Sequence, residues 1–290
     1  MNNSIEVQRY QSGFQKRGEI NDFFRGKAKN KYLKKNTKGY ITNFYPGLVD
    51  DKQEVEFMEN EQAIVFIIQE RFRKRCFFAY ADEEAFVSLL LKVPSNTILE
   101  FVSREPTNPL EEVFDRGNMN AYATYIRKTE CYVDNPYQIP GTGRRALLSE
   151  MYDPNCGEYP TMEAAEELDA LHRQVFDPLC DDMYTIDEWK EKIDKKEILV
   201  YRENGKIMAY YCFCLEGRKL YTNVVVNTGT ANVLYNMERR IIEEMWNKGI
   251  RVYYAWYNEK NDKALCRENK NALKCIKTFD LLYNFIYIKK

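Results

Sequence analysis

Residues 219–232, KLYTNVVVNTGTAN, change character halfway along. The first part reads as a strand, apolar and β-branched toward its end as if covered on both faces. The second part, Asn227 to Asn232, is small and polar and opens a helical stretch in which Leu234, Met237, Ile241 and Met245 form one stripe. Gly249 supplies the stop. A strand, a short glycine-bearing loop and the mouth of a long helix aim unpaired amides and the positive end of a dipole at one point, which suits an anion. An ordinary strand-to-helix turn with Thr228 or Thr230 as N-cap is the other reading of the same residues.

Upstream, 197–202 and 206–215 are strand-like runs joined at Asn204-Gly205, the dipeptide that best favours a two-residue hairpin, and Glu216-Gly217 turns the chain into the 219–226 strand. Two helical stretches, 162–176 and 186–194, precede them. Downstream, 251–257 is a strand that the right-handed crossover rule sets parallel to 219–226. Residues 261–277 are expected to be helical, and 278–288 to be a last strand rich in Phe and Tyr.

The first half reads as α/β too. Strands are expected at 54–57, 63–69 and 75–80, a helix at 83–92 capped by Asp82 and ended by Pro94, a strand at 97–104, a short helix at 109–116 stopped by Gly117, and an alternating strand at 121–128. Residues 131–160 are rich in Pro and Gly and are expected to hold the domain boundary. Within them Gly141-Thr142-Gly143-Arg144-Arg145 reads as a linker turn or as a phosphate cradle.

Composition narrows the function classes. The chain has 290 residues, 44% hydrophobic and 14% aromatic, long enough for two folding units and too apolar to be disordered. Lys and Arg (43) nearly balance Asp and Glu (44), so no global charge draws it to nucleic acid or an anionic membrane. The local exception is a basic arm at 16–38, read as solvated, as an RNA- or phosphate-binding arm, or as a strap between domains. No apolar run nears the ~18 residues that cross a bilayer. Eight cysteines without a C-x-x-C pair, after a start with no apolar leader, predict free thiols in the cytoplasm. Cys212 and Cys214 share one strand face and read as core. The single histidine, His172, sits in a helical stretch and reads as structural, which argues against His-centred triads and His zinc sites. No metal is expected.

From residue 161 to 290 this element order resembles the GNAT (GCN5-related N-acetyltransferase) superfamily, a mixed α/β acyl-CoA N-acyltransferase fold. In that family the loop after the fourth strand reads Arg/Gln-x-x-Gly-x-Gly/Ala and its amides hold the pyrophosphate of the acyl-CoA. The matching stretch is Val226-Asn227-Thr228-Gly229-Thr230-Ala231, with Gly229 and Ala231 on the small positions and Val226 in place of the Arg or Gln. The resemblance implies acetyl-CoA as co-substrate, with Val225, Val226, Thr228, Gly229, Thr230, Ala231 and Asn232 at the phosphates and oxyanion, and Asn258 and Asn261 at the pantetheine arm. The family's Tyr acid has no counterpart in the helix after Asn261, so Cys275, Tyr283 or water stands in for it; Glu216 and Tyr221 are the candidate bases. A thiolate leaves readily near pH 7 without full protonation, so the missing acid is survivable.

Residues 54–128 repeat the skeleton loosely, and Tyr80-Ala81-Asp82 puts a carboxylate where a phosphate would need amides. The expected organisation is a basic arm (1–40), a degenerate GNAT-like copy that does not bind coenzyme A (41–130), a linker (131–160) and an acyl-CoA-binding domain (161–290). The expected activity is transfer of an acetyl or short acyl group to a small-molecule or peptide amine. A catalytically silent binding protein and an aminoacyl-tRNA-dependent transferase on a related tandem fold are the alternatives.

Overall fold

The computed structural model describes residues 7–10, 41–43, 55–135, 137, 147, 149–261 and 276–290. The basic arm at 16–38, the loop at 141–145 and residues 262–275, with Cys275, lie outside the described residues. The chain divides into two compact units, one built from Met1–Thr124 and Leu282–Lys290, the other from Tyr125–Leu281.

In the first unit β1 (Val7–Tyr10), β3 (Val55–Glu59), β4 (Ala63–Gln69) and β5 (Lys74–Tyr80) lie side by side antiparallel, and β6 (Thr97–Ser103) joins β5 in parallel. The crossover between β5 and β6 is α1 (Glu83–Leu90), started where Asp82 Oδ1 accepts the Ala85 N–H at 2.8 Å. A short strand, β2 (Ile41–Thr42), pairs with the end of β5. After β6 come α2 (Glu111–Arg116) and the start of β7 (Met119–Tyr132). The sheet is completed by β12 (Ile276–Lys289), antiparallel to β6 from Tyr283↔Ser103 to Ile288↔Ile98. Phe78, Phe86 and Phe114 fill the core with Leu89, Leu90 and Tyr287, ring against ring. Lys289 is buried, its Nζ donating to Gly117 O at 2.8 Å.

The second unit opens with the remainder of β7. A 3-10 turn (Met162–Ala164) leads into α3 (Ala165–Val175), and α4 (Ile186–Asp194) follows with a full capping box between Thr185 and Glu188. Then come β8 (Ile198–Glu203), β9 (Lys206–Glu216), β10 (Lys219–Asn227), α5 (Ala231–Asn247) and β11 (Val252–Asn258). Spatial order is β7-β11-β10-β9-β8, with β10 and β11 parallel and the other pairs antiparallel. The β8–β9 hairpin turns at Asn204 (φ 50°) and Gly205 (φ 79°), two left-handed residues whose twist matches that of the strands. One face of this sheet packs on α5 through Tyr211, Phe213, Leu220, Met237 and Ile241; the other packs on α3 and α4 through Leu168, Trp189, Tyr210 and Cys212.

The expected boundary at 131–160 is not where the units part. Sheet pairing overrides the Pro- and Gly-rich punctuation, because β7 runs unbroken through Thr124 and the chain's final residues supply the first unit's closing strand.

Candidate functional site

β10 and β11 pair only from Lys219↔Val252 to Thr222↔Ala255. Past that point each keeps its outer partner, β10 with β9 as far as Asn227↔Ala209 and β11 with β7 as far as Asn258↔Tyr125. Among the described residues the two inner edges carry no partner strand, so the parallel pair opens into a V. The cause sits at the fork. The β9–β10 register slips between Thr222 and Val224, leaving Asn223 as a bulge that bends β10. Asn223 Oδ1 is buried without a hydrogen-bond partner. The inserted residue also resets the alternation, so that Val224 and Val226 face α3 and α4 while Val225 packs toward α5.

The Thr228 N–H donates to Met208 O at 2.9 Å, which fixes the antiparallel rhythm. Two-residue alternation then turns the main-chain groups of Val226 and Val224 toward β9, and those of Val225 and Asn227 toward the open edge. At the head of the V, Asn227 folds over its own loop: its Oδ1 accepts the Gly229 N–H at 3.1 Å and its Nδ2 donates to Thr230 O at 3.0 Å. The Thr228 hydroxyl donates to Met208 O. Thr228, Gly229 and Thr230 are exposed, and a Cβ on Gly229 would meet only Asn227 Oδ1, at 3.5 Å. Thr230 is the N-cap of α5 but makes no side-chain cap, and the first turn holds no acidic residue. The amides of Ala231 and Asn232 therefore have no acceptor within the helix and face an uncompensated dipole end.

No family model matches the sequence, and a search of curated proteins returns no match. Solved structures do match. A conserved protein of unknown function from Enterococcus faecalis V583, named a "probable N-acyltransferase", superposes at a TM-score of 0.50 with 9% identity over 98% of this chain and 72% of its own. A GCN5-related N-acetyltransferase from Sphaerobacter thermophilus gives 0.49 at 11% identity over 84% and 83%, and a GNAT-family acetyltransferase from Colwellia psychrerythraea gives 0.45 at 10% over 97% and 99%. The chain has a mixed α/β fold like that of the Enterococcus faecalis protein. Likeness at these identities carries the fold and nothing finer.

The residues expected at the phosphates form one continuous stretch. Val225, Thr228, Gly229, Thr230, Ala231 and Asn232 run from the open edge of β10 into α5. Val226 is the exception as an oxyanion donor, since its N–H belongs to the β9 ladder; Val225 holds the open-edge N–H. The Thr228 hydroxyl proton is spoken for by Met208. Asn258 ends β11 on the other arm of the V, and Asn261 follows in a turn closed by its N–H on Asn258 O at 2.9 Å.

Of the four residues expected to act as acid or base, Glu216 and Tyr221 lie at the closed end of the fork, and Tyr283 belongs to the first unit. Glu216 is exposed at the β9–β10 turn, paired with Lys219, at the closed end of the V and roughly 13–16 Å of strand from Val224. Tyr221 is also on the closed side, its ring stacked on Tyr254 at 4.6 Å and 6°. Burial, reinforced by Asp182, pushes its hydroxyl far above the ordinary tyrosine range, which rules out a phenolate base near neutral pH. Tyr283 packs against the first unit's core, its ring stacked with Phe285. Cys275 is outside the described residues.

In the α3–α4 loop the Tyr125 hydroxyl donates to Asp181 Oδ1, and Asp181 Oδ2 also accepts the Asp177 N–H at 2.8 Å. Burial first, then this bond, pushes the Tyr125 hydroxyl well up, so the proton stays on the phenol. Tyr125 is the register partner of Asn258, which places this pair beside the end of β11. Sequence reading misses it because Tyr125 and Asp181 are 56 residues apart and meet only through the sheet. Asn223 did leave a trace: Thr222-Asn223 interrupts an otherwise apolar strand. Among the described residues no cluster of His, Cys, Asp and Glu is placed to hold a metal, and no helix is long and apolar enough to cross a membrane.

Proposed function

We propose that this chain is an N-acyltransferase that moves an acetyl or short acyl group from its coenzyme A thioester to an amine. The observation that carries the reading is the V itself: a bulged β10 whose open edge runs into a helix with neither a side-chain cap nor an acidic first turn. Acetyl-CoA supplies a thioester carbonyl that an amine can attack. The Ala231 and Asn232 amides, with Gly229 once Asn227 swings aside, bind the diphosphate; Asn258 and the open edges of β10 and β11 hold the amide-bearing arm. The Val225 N–H polarises the carbonyl oxygen as negative charge develops there, in a site where positioning and fixed dipoles supply most of the effect. Asp181, held by Tyr125, is the carboxylate on the acceptor side that orients the amine, a small molecule or a peptide.

Calorimetric titration with acetyl-CoA tests this directly: binding at one site is expected, and no heat at millimolar ligand would remove the reading. A catalytically silent binding protein is the second reading, favoured by Val226 in place of the basic or amide residue of the family motif and by the Asn227 side chain on the Gly229 N–H. It predicts a melting temperature that coenzyme A leaves unmoved. Described cysteines 76, 131, 156, 180, 212 and 214 are free thiols, which fits a reducing compartment such as the cytoplasm.

A further inference from the structure

The first unit has the same fork as the second, and there it is filled. β5 and β6 are parallel only from Lys74↔Thr97 to Cys76↔Leu99, and beyond Cys76 the inner edge of β5 is free of β6. Into that gap comes β2, antiparallel to β5 at Ile41↔Tyr80 and Thr42↔Ala79. Asn43 then uses one side-chain amide to bind both arms. Its Nδ2 donates to Cys76 O at 3.1 Å on β5 and to Glu100 O at 2.9 Å on β6, and its Oδ1 accepts the Phe78 N–H at 2.7 Å. Only an amide side chain donates and accepts in this way at one spot. The Thr42 hydroxyl adds a bond to Phe78 O. What a bound ligand would have to offer such a fork, an extended chain bearing amides, the protein offers itself. The helix mouth agrees: α1 starts on the Asp82 cap with Glu83 and Glu84 in its first turn, the reverse of the bare start of α5.

We infer that residues 41–43 are a built-in occupant of the first unit's fork, so that a chain carries a single acyl-donor site, the one in the second unit. The plug stands on the first unit's geometry alone; the site count rests on the proposed function. Residue-resolved hydrogen exchange on the full chain tests the plug without any ligand. The Phe78 N–H is expected to be protected in the wild type and to exchange at least about tenfold faster in Asn43→Ala, with β8–β10 amides unchanged. Equal exchange in the two proteins would overturn the plug. If Asn43→Ala does not fold, Thr42→Val, which removes the hydroxyl bond to Phe78 O, carries the same comparison at Tyr80, whose main-chain groups face β2. Coenzyme A titration supplies the count: one equivalent per chain supports it, and two equivalents in the wild type overturn it. No binding at all would sink the transferase reading and the count together, leaving the exchange result to decide the plug.

Discussion

Gly229 has an ordinary backbone conformation and open space around its missing Cβ, so its value in this reading is what it lets approach. Gly229→Asp is expected to lower coenzyme A affinity at least about a hundredfold through charge and bulk, with the melting temperature nearly unchanged. Unaltered affinity in calorimetry would put the phosphates elsewhere. Val225 and Val226 make a sharper pair, because neighbouring valines have opposite duties in the ladder. Val226→Pro removes a β9 hydrogen bond and is expected to destabilise by about 3 kcal/mol in chemical denaturation. Val225→Pro removes an open-edge donor, keeps more of the fold and is expected to cost about 10²–10³ in kcat. If the two variants denature alike, the assigned rhythm of β10 is wrong. At this scale the sequence marked the strand-to-helix loop at 227–230, since glycine and small polar residues collect where backbone is left exposed. It did not reveal the acid–base side: Glu216 and Tyr221 are near the motif along the chain yet on the closed side of the fork, and the Asn223 bulge is a matter of register.

Secondary elements were far more legible, for reasons of periodicity and punctuation. The helix at Ile186–Asp194 and the strand at Ala63–Gln69 have the expected bounds, the 219–226 and 251–257 strands are parallel, and Asp82 caps its helix. The last strand is longer than expected at its start, because Ile276 and Lys277 belong to it and not to a helix. Behind α4, Trp189 is fully buried with His172, Tyr184 and Tyr210 rings edge-on around it. Trp189→Ala is expected to cost about 3–5 kcal/mol, read from the urea midpoint of the second unit. His172 is wholly buried, within 2.7 Å of both Tyr210 Oη and Asp182 O, and burial depresses its pKa below the ordinary histidine value. The unfolded chain therefore takes up this proton first as pH falls. Stability is complete above the unfolded value near 6.5 and declines below it until the folded histidine titrates. A melting temperature that holds from pH 8 to 7 and drops toward pH 5 is expected, with the drop reduced in His172→Gln.

The molecule as a whole departs most from what its sequence announces. Proline and glycine mark 131–160 as a boundary, but no local signal says that residues 282–290 pair with β6 or that the strand expected at 121–128 crosses from one unit into the other. Strand partners far apart along the chain are set by edge complementarity, which leaves no periodic trace. Removing 282–290 is expected to expose the β6 edge and the Phe114 core of the first unit, while the second unit keeps its cores. Limited proteolysis would show cleavage between β5 and α2 in the truncated protein; continued resistance there would mean that β12 is dispensable.

That closing strand also sets a timetable. A ribosome that has released residue 124 must still make the whole of the second unit before Leu282 to Lys290 emerge, and at about 5–20 residues per second this takes roughly ten to thirty seconds. During that interval the amino-terminal half waits with an uncovered β6 edge, the kind of surface that attracts chaperones and that crowded nascent chains share by mistake.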